Sequence, residues 1–356
     1  LQEVKKVQQD VRFLYEASTS QLTLINDFLA TNLDEFVAEL NFYQNGQLFH
    51  QVLLSDAEKK IAPADSKTLK VELPKWDENA EIVLEVLVKY QQDQLWANAY
   101  GGRQGDSLAF EQWVLQKAKP LTSPASPSAL SITEENDKLV LKGQSDQNQS
   151  FEILLNPSTM EIESYRLDQK SFLTGGPQPS FYRAETSGDP QFSEAVKQAG
   201  KAVVYKTPSI QQTEENGAVS QLTLTAEGTI NEFDTPVETK IVIDGNGTIS
   251  VSMTMKVPSE KKIGPVARAG LTLNLDSSVE QIRYVGKGPE ENYVDRNTGS
   301  RLGQWTQKIA DFYNDQLLKP QDSGNRTDVR SLTLLGEKDT LKLTFSEPVG
   351  MNILTW

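Results

Sequence analysis

The sequence predicts an all-β protein. Three observations support this: apolar and polar residues alternate through most of the chain, turn sequences separate the alternating segments, and no apolar stripe recurs every 3.6 residues over a long segment. The alternation is clearest at 81–90, where Glu81, Glu85 and Lys89 fall on one face. The other face of this predicted half-buried strand carries Ile82, Leu84, Val86, Val88 and Tyr90.

The chain is long enough for two domains, because 356 residues exceed one ordinary domain. Residues 119–130 are rich in Pro and Ser and cannot continue a central strand, so they are predicted to be a linker. Residues 1–118 have the size and strand spacing of an immunoglobulin-like β-sandwich without its disulfide. Residues 131–356 contain more strand patterns and predict a larger two-sheet sandwich.

Local sequence features locate turns and two short helices. Asn45 and Gly46 lie between apolar segments and tolerate positive φ, which predicts a type I′ hairpin. Residues 244–247, with two glycines, predict a second hairpin. Residues 192–199 and 301–313 are the candidates for short helices.

The net charge is −14 and the pI is near 4.7, so the electrostatic field of the protein repels phosphate backbones and anionic lipids. Nucleic acid and membrane surfaces are therefore not expected partners, whereas neutral ligands are compatible. No apolar run approaches the length of about 20 residues that a membrane-spanning helix needs. The chain begins at Leu1 without a signal peptide, so we expect a longer parent protein, either cytoplasmic or exported.

Cysteine is absent and His50 is the single histidine. Thiolate catalysis, disulfides and the common zinc sites need Cys or several His residues, so metal sites with soft ligands are excluded. Oxygen-ligand sites for calcium or magnesium stay open, although the sequence has no EF-hand spacing, and no cofactor and no metal are assigned to this chain. We expect His50 to be a strand-surface residue, because it follows a predicted hairpin and no nucleophile motif lies near it.

Three segments are too rich in Gly, Pro, Asn, Asp and Arg to be plain strands. They are Gly-Lys-Gly-Pro-Glu-Glu-Asn-Tyr-Val-Asp-Arg at 286–296, Pro-Gln-Asp-Ser-Gly-Asn-Arg-Thr-Asp-Val-Arg at 320–330, and Phe-Tyr-Arg-Ala-Glu-Thr at 181–186. Ordering such loops costs conformational entropy, so we expect side-chain hydrogen bonds to fix them.

The 286–296 segment resembles the Gly-x-Gly-Pro-x-Glu-Asn-Tyr-x-Asp-Arg signature of the β-galactosidase small-chain domain. The 320–330 segment resembles the Glu-Asn-Gly-Asn-Arg-x-Asp-x-Arg loop of the same domain, with fitting spacing. The third segment is similar to the family's Arg-Ala-Pro-Thr-Asn/Asp-rich stretch, of which Arg183, Ala184 and Thr186 are in place. Residues 1–11, 26–36 and 95–97 are similar to the immunoglobulin-like domain that follows the catalytic barrel in glycoside hydrolase family 2 β-galactosidases.

The resemblance implies an immunoglobulin-like sandwich followed by a β-supersandwich of the galactose-mutarotase-like kind, with several more strands expected beyond Trp356. In the family both catalytic glutamates lie on a (β/α)₈ barrel, so no catalytic residue is assigned to this chain. The implied role is a non-catalytic C-terminal segment that shapes the active-site pocket and the assembly surface. The implied partners are the barrel domain or a large catalytic subunit, a neutral galactoside, and further copies of the chain.

The polar loop residues are candidates for sugar binding, with Tyr293 or Trp305 stacking on a sugar face. The alternative is that the same side chains only hold the loops by charge-assisted hydrogen bonds, as the dense alternating charge favours. Arg330 faces the same choice. The candidate sugar-binding residues are Glu291, Asn292, Tyr293, Asp295, Arg296, Asn325, Arg326, Asp328 and Arg183.

Other functions remain open from the sequence. A separately encoded small subunit would restore activity to a chain that contains the barrel, and spacer domains would serve only oligomer contacts. A carbohydrate-binding or adhesion module would use the aromatic pairs Tyr293/Trp305 and Trp96/Trp113, although buried core tryptophans explain the second pair more simply.

Overall fold

The computed structural model describes residues 2–97, 101–119, 128–186, 188–199, 201, 203–257, 264–313 and 322–354. Within these ranges the predicted all-β fold is confirmed: 22 strands form antiparallel sheets, and the helices are short. These helices are α1 (Gln2–Val7), α2 (Asp56–Lys59) and α3 (Glu194–Gln198). Most of the predicted linker, residues 120–127, lies outside the described residues, so the limits 1–118 and 131–356 stay a prediction.

The first seven strands form two sheets that pack face to face. They are β1 (Val11–Glu16), β2 (Gln21–Asn26), β3 (Phe36–Gln44), β4 (Gln47–Leu53), β5 (Ser66–Lys70), β6 (Ile82–Tyr90) and β7 (Ser107–Gln116). The sheet orders are β1-β2-β5 and β4-β3-β6-β7. Leu22 from one sheet and Phe42 and Leu84 from the other are fully buried in one core. Burying each such side chain stabilises the fold by about 1.5–3 kcal/mol.

The second part of the chain forms three sheets. Their strands are β8 (Ser131–Glu135), β9 (Lys138–Gln144), β10 (Ser150–Asn156), β11 (Glu161–Leu167), β12 (Lys170–Ser180), β13 (Val203–Tyr205), β14 (Ser209–Glu215), β15 (Ala218–Ile230), β16 (Thr235–Asp244), β17 (Ile249–Met255), β18 (Gly270–Leu275), β19 (Gln281–Gly288), β20 (Arg301–Lys308), β21 (Arg326–Leu335) and β22 (Thr340–Met351). The sheet orders are β18-β12-β11-β10-β9-β8, then β13-β15-β16-β17 with β14 on β15, and β20-β19-β21-β22. All three contribute to one core, for example through Leu141, Leu222 and Tyr284.

Both predicted hairpins are present. Asn45 and Gly46 join β3 to β4 with φ values of 49° and 80°, as the two central positions of a type I′ turn require. The 244–247 turn joins β16 to β17. His50 lies on β4 and is exposed, as expected.

One predicted helix is confirmed and the other is wrong. Helix α3 lies inside the 192–199 segment, with Ser193 accepting a hydrogen bond from the Val196 amide as its N-cap. The 301–313 segment is instead β20 followed by a short 3₁₀ turn, Ile309–Phe312. Pairing with β19 along its whole length overrides the weak helical pattern of 301–308.

Strand β6 is buried on both faces, so the prediction of a half-buried strand is wrong. Glu85 is completely buried and Glu81 is 8% exposed, although both lie on the face predicted to meet solvent. The reason is that the second part of the chain covers this face and supplies arginine partners for both carboxylates.

The first sandwich caps the outer edge of β20. The Gln112 side chain accepts a hydrogen bond from Leu302 N–H at 2.7 Å and donates one to Leu302 C=O at 3.0 Å. Gln304 N–H donates to Gly46 C=O at 3.0 Å. A Cβ on Gly46 would lie 2.7 Å from Val285 Cγ1, so only glycine allows the turn to approach this closely. The edge strand therefore does not offer these backbone groups to another chain.

Two ion pairs join the same surfaces. The Arg330 guanidinium donates to both oxygens of Glu81 at 3.1 and 3.2 Å, with 24% and 10% of the two side chains exposed. Arg301 Nη1 lies 3.6 Å from Glu85 Oε1. Arg330, a loop candidate from the sequence, therefore contacts the first sandwich.

We predict that Glu81→Gln lowers the free energy of unfolding by about 2 kcal/mol, because it leaves the largely buried Arg330 charge without a counter-charge. Urea denaturation of the whole chain measures this. Glu227→Gln is the control, because Glu227 pairs with Lys206 while about 70% exposed, and its midpoint should not move. Equal midpoints for wild type and Glu81→Gln would show that the interface does not depend on this pair.

Candidate functional site

Asn292 joins two of the polar loops and is fully buried. Its amide group donates to the carbonyls of Lys287 and Glu290 at 3.1 and 2.9 Å. Its Oδ1 accepts from the amide and hydroxyl of Thr327 at 2.8 and 2.6 Å. These four bonds use both donors and both acceptor positions of the amide, as the loop-holding hypothesis expects.

Backbone and side-chain contacts extend this junction. Asn292 N–H donates to Asn325 C=O at 2.9 Å, and Asn325 Nδ2 donates back to Asn292 C=O at 2.8 Å. Glu291 accepts from Arg296 Nη2 at 2.7 Å and from Gly324 N–H at 2.6 Å. Arg296 also lies 4.7 Å above the Tyr293 ring. The 289–300 loop and residues 322–327 are therefore fixed to each other.

Arg326 is 3% exposed and bonds to neutral oxygens. It donates to Tyr284 Oη at 3.1 Å and to the carbonyls of Gly324 and Asn325, and its guanidinium lies 4.5 Å from the Phe312 ring centroid. In the part of the chain that the structure describes, no carboxylate lies within salt-bridge distance of it.

Asp328 and Asp295 occupy different surroundings. Asp328 has a left-handed backbone, with φ 54°, and lies 3.7 Å from Lys287 Nζ. Asp295 is exposed beside Val294, which is 89% exposed, and bonds to none of the described residues. The junction does not include Asp295.

Arg183 forms a bidentate pair with Asp189, at 2.7 and 3.0 Å. Asp189 also accepts from the amide and hydroxyl of Thr186 at 2.7 and 2.9 Å. These hydrogen bonds hold the pKa of Asp189 well below its usual range. The bond from Arg183 has the largest effect on this pKa, and the bond from the Thr186 amide has the second largest. Asp189 thus orders a loop whose sequence departs from the family pattern.

Asp322 lies beside Tyr293, next to Ser323 in the chain and in contact with Asn352. None of Asp322, Ser323 and Asn352 is among the residues predicted individually from the sequence. The Tyr293 hydroxyl donates to Asp322 Oδ2 at 3.0 Å, and Asn352 Nδ2 donates to Asp322 Oδ1 at 3.1 Å. Burial raises the pKa of Asp322, against the lowering effects of the Tyr293 hydrogen bond and the Arg183 charge. We call Arg183, Tyr293, Asp322, Ser323 and Asn352 the Asp322 cluster.

Two oxygens of the Asp322 cluster lack partners. Ser323 Oγ and Asn352 Oδ1 are buried and bond to no described residue. A buried polar atom without a partner costs about 1–3 kcal/mol, so such atoms are unusual in a site that serves only structure. Asp322 and Ser323 lie inside the 320–330 segment, whose composition was the available signal. Asn352 has no comparable signal, because it is contributed by the chain after β22.

The aromatic residues predicted to stack on a sugar lie in different parts of the structure. Trp305 lies on β20 and donates its indole N–H to Gly286 C=O at 3.0 Å, whereas Tyr293 belongs to the Asp322 cluster. Trp113 packs on Tyr15 beside the first core, as expected of a core tryptophan. Trp96 is 58% exposed, so the core explanation is wrong for this residue.

Among the described residues, no group of three His, Cys, Asp or Glu side chains converges in a way that could hold a metal ion. None of the described helices is long and apolar enough to cross a bilayer. Two statements from the sequence stay predictions: that the chain binds no cofactor, and that the candidate loop residues bind sugar.

We predict that Asn292→Ala lowers the free energy of unfolding by about 3 kcal/mol, because it leaves buried donors and acceptors of both loops unpaired. Asp295→Ala, three residues along the same loop, should change it by less than about 0.5 kcal/mol because its side chain is exposed. Chemical denaturation compares the two. Similar values for both would contradict the central position of Asn292.

We predict that the stabilisation from Asp189 is lost on acidification. The folded-state pKa is depressed, so the stabilisation is complete above the unfolded-state value of about 3.9 and declines as pH falls below it. The difference in unfolding free energy between wild type and Asp189→Asn should therefore shrink between pH 6 and pH 3. A difference that stays constant over this interval would contradict the pairing with Arg183.

Two known protein families match separate parts of the chain, one in each sandwich region. Residues 147–355 match the model of the family "Beta galactosidase small chain", and residues 22–116 match "Beta-galactosidase, domain 4". These two matches fall on either side of the predicted linker.

Curated relatives are similar over nearly the whole chain. The β-galactosidase of Priestia megaterium is 24% identical over 348 residues, which are 94% of this chain and 31% of the relative. That of Halalkalibacterium halodurans is 26% identical, covering 92% and 32%. β-Galactosidase BgaC of Bifidobacterium adolescentis is 29% identical, covering 92% and 31%. The chain spans about a third of the length of these relatives, and it belongs to the β-galactosidase small-chain family.

Proposed function

We propose that this chain is a non-catalytic segment of a β-galactosidase that closes one side of the active-site pocket. The catalytic carboxylates would lie on a barrel domain of the same polypeptide or on a large catalytic subunit. The relatives named β-galactosidase are about three times longer than this chain, which supports a role inside a larger enzyme. The substrate class would be terminal β-galactosides.

The Asp322 cluster is the observation that carries the proposal. It combines a carboxylate acceptor, a tyrosine hydroxyl, and the unpartnered oxygens of Ser323 and Asn352. The hydroxyls of a sugar can donate hydrogen bonds to such oxygens and accept them from a tyrosine hydroxyl. The charges of Arg183 and Arg268 both act on Asp322, and Arg183 also pairs with Asp189. Two guanidinium groups thus face two carboxylates, so a neutral ligand fits this cluster better than an anion or a cation.

The environment of the loop carboxylates supports a role in positioning a substrate and not in hydrolysing it. A retaining glycosidase needs two carboxyl groups about 5–5.5 Å apart, one as acid/base and one as nucleophile. Glu291 is bound by Arg296 and Gly324 N–H, and Asp189 is bound by Arg183 and Thr186. Of these three carboxylates, Asp322 is the one beside unpartnered polar atoms, and it would act alone.

Assembly is the second part of the proposal. Strand β4 is at the edge of its sheet and every residue on it is exposed, including Leu48, Phe49 and Leu53 at 51%, 38% and 63%. An exposed apolar edge strand is a site where another chain or domain can add contacts. This supports a contact with the barrel, with a catalytic subunit or with a second copy.

Activity measurements test the main proposal. The isolated chain should not hydrolyse o-nitrophenyl β-galactoside above a mock preparation. In the complete enzyme, or when the chain is mixed with a barrel-bearing chain, Asp322→Ala should lower kcat/KM about 10- to 100-fold, the value of one or two lost hydrogen bonds to substrate.

Asp137→Asn is the matched control, because it alters an exposed carboxylate in the β8–β9 turn, outside the three polar loops, and it should leave kcat/KM unchanged. Hydrolysis by the isolated chain would overturn the proposal. So would an Asp322→Ala enzyme with the same kcat/KM as wild type.

A further inference from the structure

Arg268 lies beside the Asp322 cluster, although no pattern in the sequence distinguishes it. Its backbone N–H and that of Ala267 donate to Phe181 C=O at 3.3 and 3.1 Å. Its side-chain Nη2 donates to Ser180 Oγ at 3.1 Å. These bonds fix the segment before β18 to the start of the loop that contributes Arg183 to the cluster.

The Arg268 guanidinium has hydrogen-bond donors that the fold does not use. An arginine side chain has five N–H groups, and the bond to Ser180 is the one that Arg268 makes to the described residues. No described carboxylate oxygen lies within 4.0 Å of its nitrogens. The side chain is exposed, so its free donors can reach a ligand.

A gap separates this guanidinium from the Asp322 carboxylate. The charges of Arg268 and Asp322 act on each other, and the Arg183 charge acts on both. Neither guanidinium, however, has a nitrogen within 4.0 Å of an Asp322 oxygen. A hydroxyl that accepts from a guanidinium and donates to a carboxylate holds the two groups about 4.5–5.5 Å apart. The gap is therefore wide enough for a hydroxyl to bridge them.

Burial decreases across the cluster from Ser323 to Arg268. Ser323 is 2% exposed, Asp322 and Tyr293 are half-buried, and Arg268 is exposed. The unpartnered oxygens of Ser323 and Asn352 are at the buried end. A ligand with several hydroxyls can therefore bond to Arg268 near solvent and to these oxygens deeper in the protein.

We infer that Arg268 is a specificity-determining residue, which donates to one hydroxyl of the galactoside while Asp322 accepts from the same hydroxyl. This inference rests on the proposed function, because it requires the substrate to bind at the Asp322 cluster. A free guanidinium alone would also attract a carboxylate or a phosphate, but the neighbouring Asp322 carboxylate repels such groups. The pair therefore recognises a hydroxyl, which can accept and donate at once.

Hydrolysis of nitrophenyl β-galactoside and of its four monodeoxy derivatives by the complete enzyme tests the inference. Arg268→Ala should lower kcat/KM on the parent compound about 10- to 100-fold, the value of a lost hydrogen bond to a charged group. On the derivative that lacks the bridging hydroxyl, wild type and Arg268→Ala should have equal kcat/KM, because the substitution and the deoxygenation remove the same bond. Arg268→Lys keeps the charge and a donor, so it should recover part of the loss.

Arg166→Ala is the matched control, because Arg166 is an exposed arginine on β11, outside the polar loops, and all five kcat/KM values should stay unchanged. An equal loss on all five substrates in Arg268→Ala would indicate a purely structural role and overturn the inference. If Arg268→Ala keeps the wild-type kcat/KM while Asp322→Ala loses activity, the inference fails and the proposed function stands. If both variants keep it, both fail.

Discussion

The docking of the first sandwich on the edge of β20 is the contact on which the candidate site depends. Strand β20 pairs on its inner side with β19, and β19 leads directly into the 289–300 loop. Its outer side is closed by Gln112 and by Gly46. An uncovered edge would be free to pair with other chains. The first part of the chain therefore acts on the 289–300 loop in two ways. Glu3 accepts a hydrogen bond from Gly299 N–H at 2.7 Å, and the first sandwich fixes the sheet from which the loop extends.

The buried ion pairs at this interface fix the relative position of the two sandwiches more than they stabilise the folded state. Burying a carboxylate and a guanidinium costs several kcal/mol per ion, and their attraction offsets this only with good geometry. Glu81 and Arg330 achieve it with bidentate contacts, and Glu85 receives additional hydrogen bonds from Tyr43 and Gln112. Because a shifted sheet would leave these charges unpaired, the pairs favour one register of the two sandwiches.

The sequence predicted what local patterns determine. Strand alternation, the Asn45-Gly46 turn and the composition of the polar loops each involve a few neighbouring residues, and these predictions agree with the structure. The errors at β6 and at 301–308 share one cause. The sequence predicts that Glu85 faces solvent, whereas in the structure it is buried beside Arg301. The sequence predicts a helix in 301–308, whereas in the structure this segment pairs with β19. Those partners are distant in the sequence, and no alternation pattern identifies them.

Contacts between distant residues also limit what the sequence predicts about the candidate site. The residues that make the loop signatures conspicuous, such as Asn292 and Arg326, are buried and committed to backbone carbonyls, so their chemistry is already used within the fold. Groups with unused hydrogen-bonding capacity, such as Ser323 and Asn352, are ordinary in sequence. A loop that must hold a few polar atoms in fixed positions needs many residues to hold its backbone. The recognisable part of such a signature therefore describes the scaffold, and the ligand contacts have to be found from the polar atoms that the scaffold leaves unpaired.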